Sequence, residues 1–164
     1  MSRSGRAPYT VITYGTFDLF HVGHVRLLRR LSDLGTRLIV ACSTDEFNAL
    51  KGKSTAIPYA HRVEVLESCR YVDQVIAETC WEQKREDVVK YGADLFAIGD
   101  DWAGKFDDLK DLCDVIYLPR TKNVSTTELK ALIQRMSRKK TARPFRRHAI
   151  VDGRLEARGP GQSA

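Results

Sequence analysis

Short apolar runs recur along this chain, separated by longer stretches in which apolar positions return every three or four residues. Tyr9-Thr10-Val11-Ile12-Thr13-Tyr14, which is β-branched and aromatic, and Leu38-Ile39-Val40-Ala41-Cys42-Ser43-Thr44, Val75-Ile76-Ala77, Leu95-Phe96-Ala97-Ile98 and Val115-Ile116-Tyr117-Leu118 are largely apolar with little alternation. That pattern predicts five strands buried on both faces. Between the first two runs, Val25, Leu27, Leu28 and Leu31 repeat at helical spacing, with Gly35 placed as a C-cap. Further helices are expected over about Tyr59 to Arg70 and about Trp81 to Tyr91, the latter ending at Gly92. Strands alternating with helices imply right-handed crossovers, hence an α/β domain with a five-stranded parallel sheet and helices on both faces.

In such sheets ligands bind outside the carboxyl ends of the strands. Polar clusters follow the strands as that rule requires: Gly15 to His24 after the first, Asp45 to Lys53 after the second, Gly99 to Trp102 after the fourth and Arg120 to Thr127 after the fifth. A chain of 164 residues with 43% hydrophobic content is long enough for one such domain and too short for two. The formal charge of +6 would suggest nucleic acid if it were spread over the domain. Residues 1 to 136 carry 19 basic and 19 acidic side chains, whereas 137 to 164 carry 8 and 2. The division expected is therefore an N-terminal extension (1–8), a domain (9–136) and a basic tail (137–164) without helical or strand periodicity, disordered and solvated. Cys42, Cys69, Cys80 and Cys113 form no C-x-x-C pair, and no apolar run reaches the roughly 18 residues of a membrane span. A cytoplasmic chain with reduced thiols, no zinc and no integral membrane association is expected.

The densest chemistry lies in Gly15-Thr16-Phe17-Asp18-Leu19-Phe20-His21-Val22-Gly23-His24, where a strand becomes a helix. Free N–H groups and the positive end of the helix dipole converge there, as a phosphate site needs, and His21 and His24 fall on one face of the first turn. Asp18 can bind a metal, orient a histidine or cap the turn. A second cluster, Arg120-Thr121-Lys122-Asn123-Val124-Ser125-Thr126-Thr127-Glu128, crowds an arginine fork and hydroxyls onto another helix start; Ser125 with Glu128 also reads as a capping box.

The first segment resembles the G-x-F-D-x-x-H-x-G-H signature of the HxGH nucleotidyltransferases, and the second resembles the R-T-x-G-I-S-T-T element of the cytidylyltransferases that make CDP-alcohols, with Asn123 where glycine is usual. The segments 43–48, 70–73, 80–84 and 98–107 are similar to cytidylyltransferases acting on glycerol 3-phosphate, so the resemblance covers about residues 9 to 136. It implies a Rossmann-like fold and a reaction of CTP with sn-glycerol 3-phosphate, giving CDP-glycerol and pyrophosphate for teichoic acid or capsule assembly. By resemblance His21, His24, Lys53 and Arg120 act on the phosphates. Thr16, Phe17, Asp18, Gly23, Asp101, Thr121, Ser125, Thr126 and Thr127 complete the CTP site, Asp101 by accepting from the N4 amine of cytosine. Lys51 and Lys84 serve the acceptor, with Arg62 and Arg70 as supporting charges and Trp81 as a wall. Mg²⁺ arrives with the CTP phosphates rather than through strong protein ligation, with Asp18 the one candidate ligand. A homodimer is implied, without a nucleic-acid partner. The competing readings are another acceptor (ethanolamine phosphate or a pentitol phosphate), ATP as donor, or a nucleotide- or nucleic-acid-binding protein that works through its basic tail.

Overall fold

A computed structural model describes residues 7–121, 124–141, 148–151 and 154–157. The chain divides into two units, Met1–Thr126 and Thr127–Ala164. In the first, strands β1 (Thr10–Gly15), β2 (Arg37–Ser43), β3 (Gln74–Glu78), β4 (Leu95–Gly99) and β5 (Asp114–Leu118) alternate with helices α1 (Val22–Asp33), α2 (Asp45–Leu50), α3 (Tyr59–Glu67) and α4 (Gln83–Tyr91). The strands form one parallel sheet in the order β3-β2-β1-β4-β5. This is the expected five-stranded architecture.

Burial on both faces explains the unalternating runs. Leu38 and Val40 of β2 face one side with Val11, Leu95 and Ala97, under Leu28 and Leu31 of α1 and Leu66 of α3. Ile39 and Ala41 face the other side with Ile12, Phe96 and Ile98, under Val88 of α4 and Leu109. Each fully buried aliphatic contributes roughly 1.5–3 kcal/mol, so the sheet and its helices, not the loops, carry the stability. The order reverses at β1, whose neighbours are β2 and β4, and the loops leaving β1 and β4 therefore diverge across a crevice at the carboxyl edge.

Several local expectations change. Gly35 does not cap α1: the C-cap is Leu34, and a Cβ on Gly35 would lie 2.5 Å from the Tyr9 carbonyl oxygen. That glycine permits a close backbone approach instead, whereas Gly92, at φ 57°, does cap α4 in the left-handed conformation. The polar cluster Asp45 to Lys53 contains α2, for which no helix was expected and which is capped by the Thr44 hydroxyl accepting from Phe47 N. Two 3₁₀ turns, Asp100–Trp102 and Asp107–Asp111, lie between β4 and β5.

The second unit also departs from expectation. Helix α5 (Thr126–Thr141) runs past the expected boundary at 136, and β6 (His148–Val151) pairs antiparallel with β7 (Arg154–Ala157) where no strand was foreseen. The missed signal is Asp152-Gly153, a two-residue hairpin sequence between these strands that itself lies outside the described residues.

Candidate active site

The loop after β1 is held in a costly conformation. Phe17 and Leu19 have φ of 52° and 48°, a left-handed geometry that side chains disfavour, by on the order of 1–3 kcal/mol each where it is strained. Asp18 explains how it persists. The buried carboxylate accepts from Leu19 N at 3.1 Å, Ala56 N at 2.9 Å and Ile57 N at 3.0 Å. Asp18 thus caps its own turn through Leu19 N and also ties the signature loop to the segment before α3. Phe17 is buried beside this tie, with its ring edge-on to His24 at 5.3 Å.

His21 and His24 open α1 as a reciprocal cap. Gly23 N donates to His21 Nδ1 at 3.0 Å, and His21 N donates to His24 Nδ1 at 3.3 Å. The rings stack with centroids 3.9 Å apart. Because both Nδ1 atoms accept, the hydrogen-bond network assigns the ring protons to the two Nε2 atoms. Burial agrees, lowering the pKa of His21 and taking that of His24 to about 4, the latter helped by the neighbouring His21. Both are therefore neutral N–H donors near pH 7. Thr126 Oγ donates to the Asp18 carbonyl at 3.0 Å and stands 3.4 Å from His21 Nε2, which can donate to it. Gly23 is needed where it stands: a Cβ there would come within 2.5 Å of Val124 Cγ1 and 2.7 Å of His21 Cε1.

Arg62, expected as a supporting charge for the acceptor, is instead the buried tie of the carboxyl edge. Its Nη1 donates to the carbonyls of Thr16 (2.6 Å) and Ser43 (2.8 Å), its Nε to Ile57 (3.0 Å) and its Nη2 to Asp45 Oδ1 (2.7 Å). With exposure of 2%, the guanidinium locks the ends of β1 and β2 to the α3 entrance rather than facing a substrate. Asp45 is held below its ordinary carboxylate range, first by Tyr59 N–H and then also by Arg62. Thr16 Oγ joins this tie by donating to Asn48 Oδ1 at 2.9 Å.

A charged cluster sits at the ends of β2 and β3. Lys84 Nζ lies 2.6 Å from Glu78 Oε1, Lys51 Nζ lies 3.5 Å from Glu78 Oε2, and Ser43 Oγ donates to that same oxygen while accepting from Lys51 at 2.9 Å. Aromatic rings wall the ammonium groups: Lys51 lies 4.1 Å from the Phe47 centroid, and Lys84 lies 4.6 Å from Tyr14 and 4.7 Å from Trp81. Lys84, expected to touch the acceptor, is 3% exposed and engaged by Glu78, so Lys51 is the more open cation. The Tyr14 hydroxyl donates to Asp87 at 2.8 Å, and burial followed by this bond pushes its pKa far above the ordinary range. Glu78, Ser43 and Asn48 were assigned no role from sequence. Only the position of a lone acid at a strand's carboxyl end could have pointed to Glu78.

The remaining candidates divide. Arg120 Nε donates to Asp101 Oδ2 at 2.5 Å, joining the loops after β5 and β4 in an exposed pair. Lys53 is exposed, with Nζ 5.9 Å from the Trp102 ring, and Trp102 packs 5.5 Å from Trp81. Thr121 and Ser125 are half-buried, and Thr127 is an exposed residue of the first turn of α5. Asn123 and its exchange for glycine lie outside the described residues. Arg70 is not brought to this edge within the chain. It sits in the turn before β3, where Asp73 accepts from Leu38 N at the amino end of β2. A cleft lined by Tyr9, Leu34, Leu95 and Asp114 also lies at that amino edge, away from the phosphate loops and against the carboxyl-end rule.

The imidazole donors after β1 and the lysine cluster at the ends of β2 and β3 both lie at the carboxyl edge of the sheet, where folds of this kind bind their ligands. The cytidylyltransferase-like family model matches residues 12–132, and the chain belongs to that family. The chain is 58% identical over 120 residues to the glycerol-3-phosphate cytidylyltransferase of Bacillus subtilis (strain 168), covering 73% of this chain and 93% of the relative. It is 57% identical over 120 residues to the enzyme of the same name from Staphylococcus aureus (strain NCTC 8325 / PS 47), covering 73% and 91%. The lipopolysaccharide core biosynthesis protein from Thermoplasma volcanium GSS1 has the same fold, with a TM-score of 0.61 at 20% identity, covering 72% of this chain and all of that one.

Proposed function

We infer that this chain transfers the cytidylyl group of CTP to sn-glycerol 3-phosphate, forming CDP-glycerol and pyrophosphate. The observation that carries this reading is the 57–58% identity to glycerol-3-phosphate cytidylyltransferases over 91–93% of their length. An acceptor phosphate oxygen attacks the α-phosphorus in line; the bond from that phosphorus to the β-bridging oxygen breaks, and pyrophosphate leaves with the electron pair. With no covalent enzyme intermediate, catalysis consists of positioning and charge stabilisation. His21 and His24 donate Nε2–H to oxygens whose charge grows at the α-phosphate, each interaction worth on the order of 3–4 kcal/mol. Arg120, Thr121, Ser125 and Thr126 grip the β- and γ-phosphates, and Lys53 adds a mobile cation.

Mg²⁺ accompanies CTP in this reading. The chain suits an ion held by the substrate's phosphates: among the described residues no group of three or more histidine, cysteine or acidic side chains could hold a metal, and Asp18 is engaged by backbone N–H groups. The ion would neutralise phosphate charge; the proposed residues orient the phosphates around it.

The lysine cluster supports a phosphate acceptor without a cationic head. Phe47, Trp81 and Tyr14 would suit a quaternary ammonium, but the chain's own lysines fill their faces and would repel one. Four free cysteines, and no helix long and apolar enough to cross a membrane among the described residues, support a cytoplasmic setting. A homodimer is carried forward from the family resemblance, to be read by sedimentation. The deciding experiment measures pyrophosphate release over a grid of nucleoside triphosphates and phosphorylated alcohols. The expected maximum is CTP with glycerol 3-phosphate. A maximum with ATP, ethanolamine phosphate or a pentitol phosphate overturns the reading.

A further inference from the structure

Glu78 presents a chemical puzzle. A carboxylate beside a subsite for a phosphate dianion repels the ligand, yet Glu78 lies at that subsite, is 2% exposed, and belongs to no phosphate-gripping motif. Its contacts resolve the conflict. One oxygen takes Lys84 at 2.6 Å; the other takes Ser43 and stands 3.5 Å from Lys51, so both ammonium groups are aimed by one side chain from the end of β3. Two lysines and one carboxylate sum to a single positive charge, and the aromatic walls keep water from screening it.

We propose that Glu78 is a positioning residue whose carboxylate compensates Lys51 and Lys84 and holds them in register as the acceptor-phosphate subsite. This rests on the glycerol 3-phosphate reading above. Without the carboxylate, two buried ammonium groups would face each other uncompensated, and at least one would give up its proton. The charges around the cluster favour that outcome. Burial already lowers the Lys51 pKa, Lys53 and Lys84 lower it further, and Glu78 opposes them. On α4 itself Asp87 accepts from the Tyr14 hydroxyl and from Gln83, and from the loop after β4 the Phe106 ring lies 5.5 Å from Lys84 Nζ while Trp102 packs on Trp81. No other carboxylate of the described residues is placed on either ammonium.

Glu78→Gln keeps the shape and removes the charge, and the sign of its effect depends on pH. Near pH 6 both lysines stay protonated and the subsite gains a charge, so KM for glycerol 3-phosphate is equal to or below that of the unmodified enzyme. As pH rises through the lowered lysine pKa a proton is lost, and the ratio of variant to unmodified KM climbs to about tenfold by pH 9. KM for CTP stays within about twofold throughout. A structural defect alone would raise both constants at every pH. Lysine side-chain NMR supplies the substrate-free reading: one ammonium should titrate at least about one unit lower in Glu78→Gln. Should that variant fail to fold, Glu78→Asp, which withdraws the carboxylate by one methylene, is expected to show the same pH-dependent KM ratio with a smaller rise. A pH-independent ratio together with unchanged lysine titration overturns the proposal. Failure of the unmodified enzyme to turn over glycerol 3-phosphate instead overturns the substrate reading, while the lysine titration still decides the role of Glu78.

Discussion

The histidine pair and the lysine pair hold their charge states in opposite ways. His21 and His24 are kept neutral, because burial disfavours the imidazolium and each Nδ1 is committed to a backbone N–H. Lys51 and Lys84 are instead paired with one carboxylate, which binds both and opposes the burial that lowers the Lys51 pKa. Under the proposed function the difference maps onto two catalytic tasks. A neutral donor strengthens its hydrogen bond as negative charge develops, so it favours the transition state over the bound substrate and belongs to kcat. A fixed ammonium attracts a phosphate about equally before and during reaction, so it belongs to KM.

The largest effect that could break this division comes from the histidines. His21→Ala and His24→Ala are each expected to lower kcat by at least about 10²-fold with little change in either KM. The fold should survive, since losing an N-cap costs about 1 kcal/mol against a core of many fully buried side chains. Circular dichroism and steady-state kinetics together check this; a variant with normal kcat would remove that histidine from the mechanism. Neutrality also has a signature in stability. With a folded pKa of about 4 against an ordinary 6.5, His24 binds fewer protons folded than unfolded, so its contribution is present above about pH 6.5 and lost as pH falls toward 4. His24→Ala should therefore flatten part of the acid limb of a denaturation series.

Next in size is Gly23→Ala, which tests whether donor position as well as donor chemistry matters. The added Cβ presses on the His21 ring and on Val124 at distances real structures do not tolerate. Overpacking of this kind costs about 1–3 kcal/mol. A displaced imidazole should lower kcat by about tenfold, because small misplacements are expensive in a preorganised site. Unchanged kcat with lowered stability would show that the donors tolerate movement.

On the other side of the division, Lys84→Ala should raise KM for glycerol 3-phosphate by about tenfold, KM for CTP by less than about twofold, and leave kcat nearly intact. Glu78 then holds Lys51 alone and the subsite loses its net positive charge. Equal effects on both substrates would merge the lysine cluster with the nucleotide site.

The two regions were unequally legible in the sequence. The histidine loop could be read because its requirements are local: a turn glycine, a cap and a helix start fall within ten residues, and the strand before it is buried on both faces. The lysine cluster could not, because Ser43 ends β2, Lys51 follows α2, Glu78 ends β3 and Lys84 lies on α4, and only sheet register brings β2 and β3 together, with Ser43 opposite Glu78. Arg62 failed for the same reason. Its neighbours in sequence read as a helix surface, and nothing local announces that its guanidinium is buried against carbonyls of two other loops. Asp18 was placed correctly in the loop, but its partners, Ala56 and Ile57, lie 38 and 39 residues away.

The smallest expected effect concerns the chain beyond both regions. Every side chain assigned to either one belongs to residues 14–126, whereas the excess of basic charge begins after 136. Ending the chain after Thr141 preserves α5 and removes β6, β7 and most of the basic run. If the catalytic division is complete, kcat and both KM values should stay within about twofold, with salt dependence unchanged as well, since the fixed charges acting on substrate are retained. A selective rise in either KM would assign a substrate-binding role to the basic segment and add a third region to the division. Loss of kcat alone would instead connect the removed segment to the histidine donors.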